Sequence, residues 1–287
     1  MTLTLTQRFA IAGATLALCG HAAAADVAGQ ISYRNLGLAN SENMADASAQ
    51  ASDSHIVGLD STAFPSRAPY PGYRHYVNLT AAANDSGALQ SVANLRAGGL
   101  GVATSEWHDT IVNRNGHSQN YAFHFALSQG QLELGGWSAD HSTRDYRAAF
   151  SAEVLVNGVS VWRTERGLSQ DASGFHRSAS GADIGAGSYA NTGSIGTYTL
   201  DSYNGTLNLG QLNAGQALDV RYVLTSRSYW NDPDGCAFEC GGVSASVADP
   251  LGVDGNRITA AVPEPESCAM LLGGLALLGF AARRKRA

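Results

Sequence analysis

The stretch that decides the predicted fold is FSAEVLVNGVSVW, residues 150–162. Two runs rich in valine flank the dipeptide Asn157-Gly158. Asn-Gly is the pair that a two-residue type I′ hairpin turn favours, and β-branched residues such as valine fit the pleated surface of a strand. The stretch therefore predicts a β-hairpin whose turn lies at Asn157-Gly158.

Alternation of apolar and polar residues continues on both sides of this hairpin. Upstream, YAFHFAL at 121–127 places its apolar residues on one face and His124 on the other, toward solvent. Downstream, ALDVRYVL at 217–224 repeats the pattern. A period of two indicates a half-buried strand, and no stretch between Asp26 and Ala261 shows a helical period. We predict an all-β domain, an antiparallel β-sandwich of the jelly-roll type.

The strand pattern is stronger in the second part of this predicted domain than in the first. Residues 119–260 form its core, whereas residues 26–118 supply early strands of the same sandwich. Within the early part, the polar stretch NSENMADASAQASDS at 40–54 predicts a loop, and YPGYRHYVNL at 70–79 predicts a turn followed by a strand. The 33 glycines of the chain fit a fold with many turns.

The N-terminal segment, residues 1–25, has the pattern of a secretory signal peptide. It has one positive charge at Arg8, an apolar run at 9–19 and small residues at 22–25. This order of charged, apolar and small residues predicts export, with a mature chain that begins at Asp26. A lipoprotein signal at Cys19 is the alternative, although the residue before that cysteine is bulkier than such signals prefer.

The C-terminal segment, residues 261–287, combines a proline-containing turn, an apolar stretch and a basic end. As a helix, the apolar residues 268–282 span about 22 Å, which is short against the roughly 30 Å of a bilayer core. Basic residues beside an apolar helix stay on the cytoplasmic side. The sequence predicts a single short transmembrane helix that inserts transiently in the inner membrane. Its stop-transfer tail is Arg283, Arg284, Lys285 and Arg286.

The order of these parts resembles the PEP-CTERM sorting signal of exported proteins in Gram-negative bacteria that make extracellular polysaccharide. Its sorting motif is Val262, Pro263, Glu264 and Pro265, followed by the short helix and the basic tail. The resemblance implies processing by an exosortase, a membrane enzyme, and delivery to the cell surface or the extracellular matrix. A simple C-terminal anchor with a proline-containing linker is the alternative. The stretch 121–253 is also similar to β-rich domains of other proteins with this tail, but this similarity implies no activity.

Charge and cysteine content limit the remaining possibilities. The formal net charge of −6 excludes nucleic acid as a partner, because an acidic surface repels phosphate backbones. Cys236 and Cys240 are an even pair outside both terminal segments, and export predicts a disulfide between them. A zinc site would need further ligands, and no histidine stands near this pair.

The candidates for catalysis in the sequence are weak, and we predict no catalytic residue and no enzyme. Neither Gly-x-Ser-x-Gly nor His-Glu-x-x-His occurs. Glu106, His108 and Asp109 stand close enough in sequence to hold a metal or to form an acid/base pair. The alternative is a solvated polar strand edge around Trp107.

The stretch SYWNDPDGCAFEC at 228–240 is the better candidate for binding. Asn231, Asp232 and Asp234 carry the oxygen ligands that calcium prefers, although the same residues are typical of an ordinary tight turn. Tyr229 and Trp230 present rings that can stack on sugars, or that can instead pack under the disulfide. No cofactor other than calcium is expected.

Three classes of function fit the sequence. The sorting tail and the absence of catalytic motifs favour a structural or adhesive protein of the surface or the polysaccharide matrix. A carbohydrate-binding module is the alternative, supported if exposed coplanar rings occur among Trp107, Trp137, Trp162, Tyr229 and Trp230 and weakened if these rings are buried. A secreted hydrolase ranks third, since it needs a cleft with converging carboxylates or a metal.

Overall fold

A computed structural model describes nine ranges of the chain. They are residues 26–35, 46–52, 57–65, 74–84, 87–96, 98–135, 145–231, 241–249 and 257–260. The expected signal peptide (1–25), the expected apolar helix (268–282) and the cysteine pair Cys236 and Cys240 lie outside the described residues.

The described residues form β-strands and contain no helix, which confirms the all-β prediction. The strands are β1 (Asp26–Asn35), β2 (Ala47–Ser52), β3 (Val57–Pro65), β4 (Arg74–Ala83), β5 (Leu89–Leu95), β6 (Gly99–Val112), β7 (Gln119–Gly135), β8 (Asp145–Val156), β9 (Val159–Asp171), β10 (Gly174–Gly181), β11 (Ser188–Asn191), β12 (Ile195–Thr199), β13 (Tyr203–Leu212), β14 (Ala217–Asn231), β15 (Gly242–Ala248) and β16 (Arg257–Ala260).

These strands form two antiparallel sheets. The seven-stranded sheet has the order β10-β9-β8-β14-β6-β1-β2. The nine-stranded sheet has the order β11-β12-β7-β15-β5-β4-β3, and β13 and β16 also pair with β7. Strands from both sides of residue 118 are neighbours in each sheet, since β6 pairs with β14 and β5 pairs with β15.

The inner faces of the two sheets pack against each other, so the fold is β-sandwich-like. Tyr222 on β14 of one sheet and Phe123 on β7 of the other are both fully buried, and their ring centroids lie 5.8 Å apart. They belong to one apolar cluster that draws residues from both sheets. Burying a large apolar side chain stabilises a fold by about 1.5–3 kcal/mol, so this cluster is the main source of stability.

The predicted hairpin is confirmed. β8 and β9 pair directly, and Asn157 and Gly158 form the turn between them with φ values of 50° and 77°. Two positive φ values in succession are the signature of the type I′ turn. The turn is further held to β14, because Asn157 N donates to Asp219 O over 2.9 Å.

The predicted alternation in β7 and β14 is also confirmed by burial. Tyr121, Phe123, Phe125 and Leu127 of β7 are buried, and so are Leu218, Val220, Tyr222 and Leu224 of β14. His124 faces the outer side, where its ring contacts hydroxyl groups of both neighbouring strands. A register shift opposite Ser246 and Ala248, near Gln129 with φ 53°, separates the two halves of β7. The first half pairs with β13 and β16, the second with β12 and β15.

The interpretation of residues 40–54 as a loop is wrong for part of this stretch. Residues 47–52 form β2, which pairs with β1 from Tyr33↔Ala47 to Ala28↔Ser52. A short strand of alanines and serines has a weak local preference, but β1 offers it a row of unpaired backbone groups. Pairing with a neighbour, rather than intrinsic propensity, creates this strand.

Serine side chains connect the two sheets inside the sandwich. Ser91 on β5 and Ser226 on β14 are both fully buried, and their Oγ atoms lie 2.8 Å apart. Ser226 Oγ also donates to Ser91 O over 3.0 Å, and Ser228 Oγ donates to Ala93 O over 2.6 Å. Ser105 on β6 donates in the same way to Gln90 O. We call Ser91, Ser105, Ser226 and Ser228 the serine seam; its small side chains let β5 approach β14 and β6 closely.

Candidate functional site

Two members of the predicted group Glu106, His108 and Asp109 form ion pairs on the outer face of the seven-stranded sheet. Nε2 of His108 contacts Oδ2 of Asp219 on β14. Arg221 Nε lies 3.5 Å from Asp219 Oδ1, and Arg221 Nη1 lies 3.6 Å from Glu106 Oε1. Each acid is thus paired with a base, which fits charge pairing on a solvated face. Asp219 comes from a distant part of the chain, so local sequence gave no signal of it.

A second group with a histidine, a serine and an acid lies at the turn between β9 and β10. Asp171 Oδ1 accepts hydrogen bonds from Ser173 N and Ser173 Oγ, both over 2.7 Å. His176 Nε2 lies 3.1 Å from the same oxygen and 2.8 Å from Ser173 Oγ. The bonds from Ser173 and then His176 lower the pKa of Asp171 to about 2.

The geometry of this turn differs from that of a nucleophilic triad. A triad uses one ring nitrogen of the histidine for the serine and the other for the acid. Here Ser173 and Asp171 share Nε2 of His176, so no proton can pass from the serine through the ring to the acid. The side chains of Asp171 and His176 are about half exposed, and their bonds stabilise the turn.

The structure separates the two aromatic residues of the predicted binding stretch. Trp230 is fully buried and packs edge-on against Tyr146, with ring centroids 5.5 Å apart. Tyr229 faces outward, where the guanidinium of Arg147 lies 5.5 Å from its ring centroid. The burial of Trp230 argues against sugar stacking by this residue. Asn231 ends β14.

The predicted calcium ligands Asp232 and Asp234 lie outside the described residues, as does Trp137. Of the remaining tryptophans, Trp107 is 3% exposed and stacks on Phe123 at 5.6 Å between ring centroids. Trp162 is half-buried between Phe125 and Tyr203. These tryptophans therefore serve packing, which weakens the hypothesis of an aromatic sugar platform.

The outer face of the nine-stranded sheet is built differently, mainly from uncharged polar side chains. Strand register places five side chains in one row across β4, β5, β15, β7 and β12, and five more in the next. We call these two rows the neutral face. They are Asn78, Asn94, Ser244, Glu133 and Thr197, then Thr80, Val92, Ser246, Gln131 and Thr199.

The neutral face offers hydrogen-bonding groups to solvent. Glu133 is the one charged residue in the two rows, and Asp60 of the neighbouring strand β3 stands opposite Asn78 at their edge. Five strands at about 4.8 Å spacing make the face about 19 Å wide. Thr80 Oγ1 donates to Asn78 Oδ1 over 3.4 Å, and Ser244 Oγ donates to Asn94 Oδ1. Within the described ranges, no acceptor is bonded to the Nδ2 atoms of Asn78 and Asn94, so these amides can donate to a ligand.

A buried acid at the end of β15 is the most perturbed carboxyl of the described residues. Asp249 is 2% exposed, and its Oδ2 accepts a bond from Ala126 N over 3.2 Å. Burial raises the pKa of Asp249 to about 7. Tyr222 donates from its hydroxyl to Ala126 O over 3.2 Å, and its own pKa is raised by burial and then by the Asp249 charge. Both side chains fix the backbone of Ala126, which is a structural role.

The described ranges lack two further features. No group of three or more histidine, cysteine, aspartate or glutamate side chains there is arranged to hold a metal ion. In those same ranges, no helix has the length and apolar character needed to cross a membrane.

The described part of the chain thus defines a β-sandwich-like domain with one charged and one neutral outer face. Beyond its last strand, residues 261–286 match the family model of the PEP-CTERM protein-sorting motif. This match confirms the resemblance seen in the sequence and implies export with sorting by an exosortase, a membrane processing enzyme. No curated protein matches the chain.

Proposed function

We propose that the exported domain acts by contact, as a structural or adhesive protein of the cell surface or extracellular matrix of a Gram-negative bacterium. The observation that carries this proposal is the neutral face. A solvated array of amide and hydroxyl groups suits contact with a partner over a broad area. The sorting motif brings the protein to the compartment where such partners occur.

Extracellular polysaccharide is the partner that fits this face best. Sugar hydroxyl groups both donate and accept hydrogen bonds, and the Nδ2 groups of Asn78 and Asn94 and the hydroxyl of Thr197 complement them. A carbohydrate-binding module is therefore the alternative function, and the same groups favour it. Affinity for each sugar would be low, and a long polymer would compensate by contacting both rows.

The proposal includes no catalysis and no cofactor. The arrangement at His176 supports a non-enzyme, because Ser173 and Asp171 contact the same ring nitrogen and do not form a nucleophilic triad. Calcium binding by Asn231, Asp232 and Asp234, the disulfide of Cys236 and Cys240, and the jelly-roll type of the sandwich stay predictions.

The test compares binding of exported protein to the matrix polysaccharide of its host. Ser246→Glu places a charge in the middle of the neutral face, and we expect the bound fraction in co-sedimentation to fall about fivefold or more, as for the loss of one or two hydrogen bonds. Ser169→Glu is the matched control, because Ser169 lies on the outer face of the other sheet between Arg147 and His176. It is expected to bind like the wild type.

Equal binding by both variants and the wild type contradicts a contact role of the neutral face. Release of reducing sugar ends during the same incubation contradicts the non-enzyme part of the proposal. Loss of binding on chelation of calcium assigns the contact to the 229–234 stretch instead.

A further inference from the structure

The sorting motif follows the last strand of the domain with almost no spacer. β16 ends at Ala260, the family match begins at residue 261, and Val262 starts the sorting motif. Ala261 alone separates strand and motif, and one extended residue spans at most about 3.6 Å. This reach is shorter than the distance of about 10 Å between the two layers of a sandwich. An enzyme that binds Val262 would therefore contact the folded domain.

Three kinds of contact hold β16 in place. Its backbone pairs with β7 from Arg257↔His124 to Ala260↔Tyr121. Ile258, opposite Phe123, packs against the core. On the outer side, His124 Nε2 lies 3.0 Å from Thr259 Oγ1.

The same histidine holds the strand on the other side of β7. His124 Nδ1 lies 3.0 Å from Thr206 Oγ1 of β13. The ring therefore bridges β13 and β16 across β7. A histidine with hydroxyl groups at both ring nitrogens is a clamp for the strand that carries the sorting motif.

Within the described residues, β16 is the shortest strand on β7. It has four residues, against five in β12, seven in β15 and ten in β13. β15 lies between β5 and β7, whereas the pairing of β16 within the described residues is with β7 alone. Short strands with one paired edge open at a lower free energy than central strands, because few backbone bonds and little apolar area are lost.

We propose that β16 is a detachable strand, and that its release from β7 gives the exosortase room to bind the sorting motif. Detachment adds four extended residues, about 13 Å of reach, between the sandwich and Val262. After cleavage beyond Ala260 the strand pairs again with β7 and covers Phe123. The clamp of His124 and Thr259 sets how often the strand opens. This inference rests on the matched sorting motif and does not depend on the neutral face.

The test pins β16 with a disulfide in the full-length protein of the native host. Ala122→Cys/Thr259→Cys joins directly opposed positions of β7 and β16, while Ala122→Cys/Asn208→Cys joins β7 to β13 through the same position. Pulse-chase labelling follows conversion of full-length to processed protein, and mass spectrometry identifies the bonded fraction. We expect the β16-pinned fraction to stay unprocessed until a reductant is added. The β13-pinned protein is expected to be processed at the wild-type rate.

A second variant works in the opposite direction. Thr259→Val keeps the shape and strand preference but removes the bond to His124, and losing one net hydrogen bond raises the open fraction up to about fivefold. Processing should accelerate by a similar factor. Wild-type processing of the β16-pinned fraction, or equal arrest by both pins, overturns the proposal; a wild-type rate for Thr259→Val overturns the role of the clamp.

Discussion

Gly205 shows how a residue's neighbours, rather than its local preference, decide its role. The dipeptide Asn204-Gly205 has the composition of a tight turn, yet it lies inside β13. Gly205 pairs with Phe125 on β7, and a Cβ atom at Gly205 would lie 2.2 Å from Phe125 Cζ. The ring covers the glycine and continues into the stack of Trp162 and Tyr203. A pattern of residue types along the chain cannot reveal this contact, because its partner is far away in sequence.

The buried carboxyl of Asp249 predicts that the stability of the fold depends on pH. The carboxyl has a pKa of about 3.9 in an unfolded chain and about 7 in the folded one. Between these values the folded state holds a proton that the unfolded state has lost. The free energy of unfolding that Asp249 contributes therefore falls as pH rises from about 4 to about 7 and levels off above.

Asp249→Asn removes this titration and keeps an oxygen that can accept from Ala126 N. Urea unfolding from pH 4.5 to 7.5 should show the wild type losing a few kcal/mol relative to the variant as pH rises. Parallel curves for the two proteins across this range contradict the assignment.

At the scale of elements, local chemistry predicts some strands and tertiary contacts create others. The β8–β9 hairpin was predictable because its turn residues and its alternating valines are adjacent in sequence. β2 was not, since its alanines and serines become a strand only beside β1. The serine seam was not predictable either. A serine at an inward position interrupts the apolar pattern of a strand, and its hydrogen-bond acceptor lies on the facing sheet, far away in sequence.

The serine seam should behave as a coupled unit. Ser226→Ala removes a hydroxyl that contacts both Oγ and O of Ser91, and we expect it to lower the free energy of unfolding by about 1–3 kcal/mol. Ser91→Ala alone should cost a similar amount. The double variant should cost less than the sum, because each single change leaves a buried group unpaired. Strict additivity in urea unfolding contradicts direct coupling across the two sheets.

At the scale of the whole molecule, alternation predicts which side of a strand is buried but not which strands are neighbours. The sequence therefore indicated an all-β domain, while the pairing of β6 with β14 and of β5 with β15 required the structure. The candidate sites follow the same rule. The sorting motif is contiguous and was identified directly, whereas the partner of His108, Asp219, and the ten positions of the neutral face come from strands far apart in sequence.

The unequal distribution of charge over the two outer faces predicts how matrix binding responds to salt. The net charge is −6, and ion pairs such as Arg221 with Glu106 lie on the seven-stranded sheet. The neutral face carries one charged residue, Glu133, and Asp60 stands beside its edge. Salt shortens the screening length from about 10 Å at 0.1 M to about 3 Å at 1 M, which weakens ionic contacts but leaves hydrogen bonds between neutral groups. Binding of exported protein to matrix polysaccharide should therefore change less than about twofold between about 0.05 and 0.5 M NaCl. Glu133→Gln, measured beside the wild type by co-sedimentation, should bind at least as well. A tenfold loss of binding in high salt would instead assign the contact to the charged face around Arg221.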